Sequence, residues 1–124
     1  MEHKFLHMKN KNFAESVKCA LHGTSQGFRS ERNFKIYIAI ASIFLLLNIA
    51  TKSCVYDYVI WLALTCTVFA AELINTSIER ICDALIPEKN DNARFIKDTA
   101  AGAVLITGIA FFGGEGAVLV NNIL

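Results

Sequence analysis

"AAELINTSIERICDALIPEKNDNARFIKDTAAGAV", residues 70–104, places Glu72, Asn75, Glu79 and Asp83 on consecutive turns directly after an apolar run, then follows them with Lys97 and Asp98. At a helical period the four polar side chains fall within a strip roughly 80° wide and about 16 Å long. One helix face therefore carries three carboxylates and an amide. A helix end in water, with Glu79 and Asp83 solvated beside Arg80, accounts for Asp83 but poorly for Glu72, which follows seventeen mostly apolar residues. An ionisable group so placed costs a few kcal/mol unless something compensates it, and it marks a functional site by default.

Working outward, three apolar stretches stand out, Ile36 to Ala50, Val55 to Ala71 and Thr99 to Ile123. The first two reach spanning length only with their flanks, Asn33 to Thr51 and Val55 to Asn75. In 124 residues there is room for one domain, and 54% hydrophobic content with a single Pro points to apolar helices. A soluble bundle of buried helices is the plain alternative, but the charges favour a membrane. Of the 12 Lys and Arg, seven lie at or before Lys35 and four between Arg80 and Lys97, leaving only Lys52 between the first two stretches. The positive-inside rule then puts the N-terminus and the 80–98 region in the cytoplasm, with Lys52 and the C-terminus outside, and three spans satisfy that alternation. No cleaved signal peptide is expected from the basic, polar first 33 residues.

The expected architecture is all-α: a cytoplasmic leader and surface helix over 1–33, spans over 34–53, 55–83 and 99–123, and a cytoplasmic loop over 84–98. In the leader, Phe13, Val17, Ala20, Leu21 and Phe28 share one side of a helical wheel, while Lys11, Glu15, Lys18, His22 and Arg29 lie mostly elsewhere. Such a helix either lies on the inner leaflet or caps its own bundle, and Gly23 and Gly27 are expected to interrupt it. Cys19, Cys54, Cys66 and Cys82 lack any C-x-x-C spacing, and His3, His7 and His22 read as solvated, so no zinc or redox site is indicated.

Mg²⁺ suits the acidic strip, because it takes oxygen ligands, usually one or two carboxylates with phosphate oxygens and water completing the shell. Lys97 supplies a phosphate cation, and Asp98 is placed to fix that lysine or a ribose. Neither a G-x-x-x-x-G-K-[ST] loop nor a kinase-type glycine loop occurs, so any ATP would be held by another architecture.

The run "ELINTSIERICDAL", followed by "KDTAAGAVL" and preceded by "SERNFK", resembles the small integral-membrane lipid kinases of bacteria, the prokaryotic diacylglycerol kinase family. Its "ERNF" is most similar to the undecaprenol kinase branch, and the likeness covers roughly Phe13 to Gly108. The resemblance implies a homotrimer of three-span subunits in the bacterial inner membrane, with active sites shared between chains. ATP and Mg²⁺ would serve to phosphorylate a lipid alcohol, undecaprenol first and diacylglycerol second, and no nucleic acid is involved. Glu72 would be the base for the lipid hydroxyl and Asn75 would orient the reacting groups. Glu31 and Glu79 would hold magnesium, and Lys97 with Asp98 the nucleotide phosphates. Asn33, Phe34 and Lys35 would join Glu72 on the lipid, and Glu88, Lys89 and Asn90 are the candidates nearest the adenine.

Several positions depart from the family pattern. "PEKNDNARFI" lacks the aromatic or histidine residues of many relatives, Arg94 stands where lysine is common, and Cys19 replaces a tyrosine of some relatives. Glu115, among glycines in "FFGGEGAVLV", either meets a partner across a trimer axis or marks a short third helix. A rival of another class, a small transporter subunit using Glu72 and Glu79 as a proton or cation relay, leaves Lys97 and Asp98 unexplained.

Overall fold

The computed structural model describes residues 12–124; Lys4, Lys9, Lys11, His3 and His7 of the leader lie outside the described residues. Four helices follow one another: α1 Phe13–Ser30, α2 Arg32–Ala50, α3 Val55–Leu85 and α4 Asp91–Ile123. Among the described residues there is no strand. α2, α3 and α4 are each long and apolar enough to cross a membrane. At 31 and 33 residues, α3 and α4 run about 46 and 50 Å, well beyond the roughly 30 Å of a hydrocarbon core. Both therefore carry a polar extension beyond their apolar part.

Local chemistry sets the helix ends. The Asn12 side chain accepts from the Glu15 N–H at 2.8 Å to open α1, and Asn90 does the same for α4 through the Ala93 N–H at 2.7 Å. Glu31 is extended (φ −108°, ψ 122°), a single non-helical residue that separates α1 from α2. Pro87 disfavours a helical residue before it, and α3 ends at Leu85. The loop expected over 84–98 thus narrows to 86–90, because the Asn90 cap lets 91–98 join the third apolar helix as one rod.

Between α2 and α3 the chain reverses through a Schellman motif: Ser53 N–H donates to Asn48 O at 3.0 Å and Lys52 N–H to Ile49 O at 3.1 Å. The left-handed position is occupied by Lys52 at φ 56°, where glycine would carry no Cβ penalty.

Gly23 and Gly27 do not interrupt α1, contrary to the expectation from sequence. Gly27 is instead its point of closest approach to α3, where a Cβ would stand 2.6 Å from Leu73 Cδ2. Beside it Phe34, wholly buried, meets Phe28 with ring centroids 4.5 Å apart and Phe69 at 5.9 Å, pinning α1, α2 and α3 at one point. α3 and α4 form the close hairpin of the fold. Small residues, Ala93 and Ala100, are buried along α4, Cys82 Sγ–H reaches Ala93 O at 3.7 Å, and Gly114 admits the Leu64 side chain. The Trp61 indole N–H donates to Ala41 O at 2.9 Å and ties α3 to the middle of α2.

Far from the Glu72 strip, the helices share a second polar cluster. Asn122 Nδ2 donates to Ser53 Oγ at 2.8 Å, Ser53 Oγ–H to Asn48 Oδ1 at 3.1 Å, and Asn48 Nδ2 to Glu115 Oε2 at 2.8 Å. Glu115 and Asn48 are both wholly buried. α4 continues two turns past Glu115, so the short-helix reading of that residue is corrected, and its partner is an asparagine of the same chain.

Two stability predictions follow from these contacts. Replacing Lys52 by Gly should raise the unfolding free energy in detergent by about 1 kcal/mol, by relieving the left-handed residue. Asn48→Ala should lower it by about 2 kcal/mol, because the Glu115 carboxylate loses its donor, while the double Asn48→Leu, Glu115→Leu variant should recover most of that loss in the same melts.

Candidate functional site

α3 carries the strip, and its successive residues enter progressively more polar surroundings. Glu72 is 2% exposed, Asn75 is also buried, Glu79 is half-buried and Asp83 is exposed. α2 supplies what the Glu72 carboxylate needs. Asn33 Nδ2 donates to Oε1 at 3.3 Å, and the Tyr37 hydroxyl donates to Oε2 at 3.5 Å. Asn33 and Tyr37 are one turn apart, so they present themselves on one face of the first part of α2. One turn along α3 from Glu72, Asn75 Nδ2 donates to Glu79 Oε1 at 3.2 Å, which leaves Asn75 Oδ1 buried and without a hydrogen-bond partner.

These groups line one end of a cleft of about 410 Å³ between α2, α3 and α4. Glu72, Asn75, Glu79 and Asn33 form its polar end, and Ile40, Val68, Leu105, Ile109, Phe111 and Phe112 extend it as an apolar channel. The cleft exists because α4 packs closely on α3 while α2 is tied to α3 at separate points. It is shaped for a molecule with a polar head and an apolar body.

Other residues singled out from sequence lie elsewhere. Phe34 is enclosed in the aromatic cluster behind the cleft and does not line it, so its part is packing; Lys35 is exposed and outside the lining as well. Glu31 is half-buried at the α1–α2 junction. Lys97 is bonded to Asp83, whereas Asp98 pairs with Arg94 at 3.5 Å on a largely exposed surface. The idea that Asp98 fixes Lys97 is therefore corrected: adjacent residues on a helix point about 100° apart, and Asp83 of α3 faces the lysine. Glu88, Lys89 and Asn90 are exposed in the turn, where Asn90 serves as the α4 cap. Tyr37 was not anticipated. Its spacing of four from Asn33, on the helix that must pack against an acidic strip, is the signal that identifies it.

The oxygen donors fit Mg²⁺. Glu79 offers a carboxylate and Asn75 a buried carbonyl oxygen with no other partner, both hard ligands. Among the described residues no three acidic, His or Cys side chains converge to form a closed metal cage. An ion there would have to complete its shell with water or substrate oxygens, as Mg²⁺ commonly does with phosphates.

Residues 18–119 match the family described as Prokaryotic diacylglycerol kinase. The chain is 34% identical over 119 residues to a diacylglycerol kinase of Synechocystis sp. (strain ATCC 27184 / PCC 6803 / Kazusa), an alignment covering 91% of this chain and 65% of that relative. It is 31% identical over 97 residues to an undecaprenol kinase of Bacillus subtilis (strain 168), covering 78% of this chain and 79% of the relative. The chain thus spans just under two thirds of the first relative's length. No solved structure matches it.

Proposed function

Since this chain belongs to the prokaryotic diacylglycerol kinase family, a multi-pass membrane group, we propose that it transfers the γ-phosphoryl group of ATP to the hydroxyl of a membrane lipid, undecaprenol in the first instance. The observation that carries the reading is the two-part cleft: a buried, hydrogen-bonded carboxylate at its polar end, and an apolar channel leading from it between the helices. A lipid alcohol can present its oxygen to Glu72 while its tail remains among apolar side chains.

In this mechanism Asn33 and Tyr37 orient the Glu72 carboxylate toward the lipid hydroxyl. Glu72 takes the hydroxyl proton as the alcohol oxygen forms its bond to the γ-phosphorus, and the bond from that phosphorus to the β–γ bridging oxygen breaks to release ADP. Glu79, Asn75 Oδ1 and Glu31 would hold Mg²⁺, which would supply neutralisation of the phosphate charge. Lys97, which Asp83 steadies, would meet the phosphates from α4, and the exposed turn over 86–90 would meet the adenine. The basic N-terminal side and the 86–90 turn face the cytoplasm, where ATP is found, across the bacterial inner membrane. α1 rests along that surface, with Phe13 84% and Leu21 66% exposed. Ile106 is similarly open, and such outward apolar side chains suit both lipid and the helices of a homotrimer that would complete the site.

The name of the Synechocystis relative keeps diacylglycerol as the second acceptor. A proton or cation relay gains little support: beyond the polar end the cleft offers the Thr65 hydroxyl but is otherwise walled by apolar side chains such as Val68, Val104, Phe111 and Phe112, and Glu115 does not line it.

Purified protein in a bilayer mimic, supplied with labelled ATP and Mg²⁺, should phosphorylate a C55 polyprenol in preference to diacylglycerol; a reversed preference would reassign the acceptor, and no labelling of either would end the kinase reading. Glu72→Gln should lower kcat at least a thousandfold while ATP still binds, and full turnover in that variant would remove the base. Glu31→Gln and Glu79→Gln should each raise the Mg²⁺ concentration for half-maximal rate about tenfold, a dependence that a purely structural glutamate would leave unmoved.

A further inference from the structure

A second pocket, of about 290 Å³, opens on the other flank of α3, between it and α1. Three of its four α3 residues, Leu73, Thr76 and Arg80, each follow a cleft residue by one position, so they face about 100° away from Glu72, Asn75 and Glu79; Ser77 is the fourth. The pocket arises where α1 diverges from α3. At Gly27 the helices touch, whereas one turn earlier a Cβ on Gly23 would meet nothing within 4 Å.

The chemistry of the lining has a single sign. No Asp or Glu lines the pocket, and Arg80 makes no ion pair or hydrogen bond among the described residues. Thr76 is 7% exposed, and its hydroxyl is buried without any partner, which is costly unless a ligand or water satisfies it. Other hydroxyls have already spent their proton on their own helices, Thr24 to Ala20 O at 2.8 Å and Ser77 to Leu73 O at 3.0 Å. What remains for a guest is a set of donors: the Arg80 guanidinium, the Gln26 amide and the Thr76 hydroxyl.

We propose that this pocket binds a phosphate group, held by Arg80 with Thr76 and Gln26, at a site separate from the catalytic cleft. Guanidinium matches the tetrahedral anion with paired N–H donors, and a neutral hydroxyl beneath it completes the cradle. Arg80 lies within two turns of the polar end of α3, the depth at which lipid phosphates sit once the helix spans a bilayer. Only the lipid source of the phosphate depends on the membrane reading. The binding itself does not depend on kinase activity.

The test uses the full chain in phosphatidylcholine nanodiscs, titrated in separate arms with dihexanoyl phosphatidic acid and with inorganic phosphate, binding being read by ³¹P NMR. Saturable binding is expected in at least one arm. Binding of the lipid alone would identify a headgroup site, and matching binding of inorganic phosphate would identify a free-anion site. Arg80→Gln should weaken that binding at least tenfold while ATP affinity stays within twofold. Gly23→Leu, which puts bulk into the pocket without adding or removing a charge and favours helix α1, should weaken it equally with no loss of thermal stability. Absence of binding in both arms, or wild-type affinity in either variant, overturns the proposal.

Discussion

The buried carboxylate of Glu72 is the constraint around which the rest of the chain is arranged. A charged or even neutral carboxyl in an apolar helix must be met by donors, and α3 cannot provide them from its own backbone, whose N–H groups are already committed to the helix. They come from α2, through Asn33 and Tyr37. That requirement fixes which face of α2 looks at α3 and at what height. The aromatic contact at Phe34, beside these donors, and the Trp61 bond to Ala41, farther along the bundle, then hold the same register. With α2 anchored at points and α4 packed continuously on the other side, a gap between them is the geometric consequence, and the catalytic reading occupies that gap.

The charged end depends on a division of labour between neighbouring residues. Asn75 spends its amide on Glu79 and keeps its buried carbonyl oxygen without a partner, so one hydrogen bond both orders a carboxylate and leaves an oxygen uncommitted. Asp83, the outermost member of the strip, is far enough into water to hold Lys97 instead. An exposed pair of this kind adds little to stability, and its value lies in restricting where a flexible ammonium can be found. The acidic strip is thus graded in function by depth. Its buried member is held by neutral donors, its middle members face one another and the cleft, and its exposed member positions a cation.

Much of this was legible in the sequence, and the failures have physical causes. The helical period and the charge distribution between apolar runs sufficed for three long helices, because both signals are local or additive. The clustering of Glu72, Asn75 and Glu79 followed from their spacing alone. Gly23 and Gly27 misled because glycine's helix cost is small beside the packing gained when a neighbouring helix needs the space, which Leu73 does. The Asp91–Asp98 segment looked like loop for its polarity, yet a capping asparagine and a continuous helix beyond it outweigh polarity. Tyr37 as a donor to Glu72, and Asp83 rather than Asp98 as the partner of Lys97, depend on how two helices are rotated relative to each other. No single-helix pattern contains that information.

Glu72 and Glu115 are two buried acids held in different ways, and the difference bears on which of them suits the proposed chemistry. Both are nearly or wholly inaccessible within the helices, and both receive an asparagine amide from α2. Glu115, however, stands at the end of a donor chain running from Asn122 through Ser53 and Asn48, links that the Schellman turn at Lys52 holds in place. Its Oε2 takes the 2.8 Å bond from Asn48, the last link of that chain, and Glu115 does not line the cleft at Glu72. Glu72 is held by two longer contacts, at 3.3 and 3.5 Å, and it borders an open channel. A group meant to exchange a proton with a substrate must be held well enough to be buried and loosely enough to accept a new partner. Of the two acids, only Glu72 meets both conditions, which favours the charged end of the bundle as the place of the proposed reaction, while the Glu115 cluster ties the other end together.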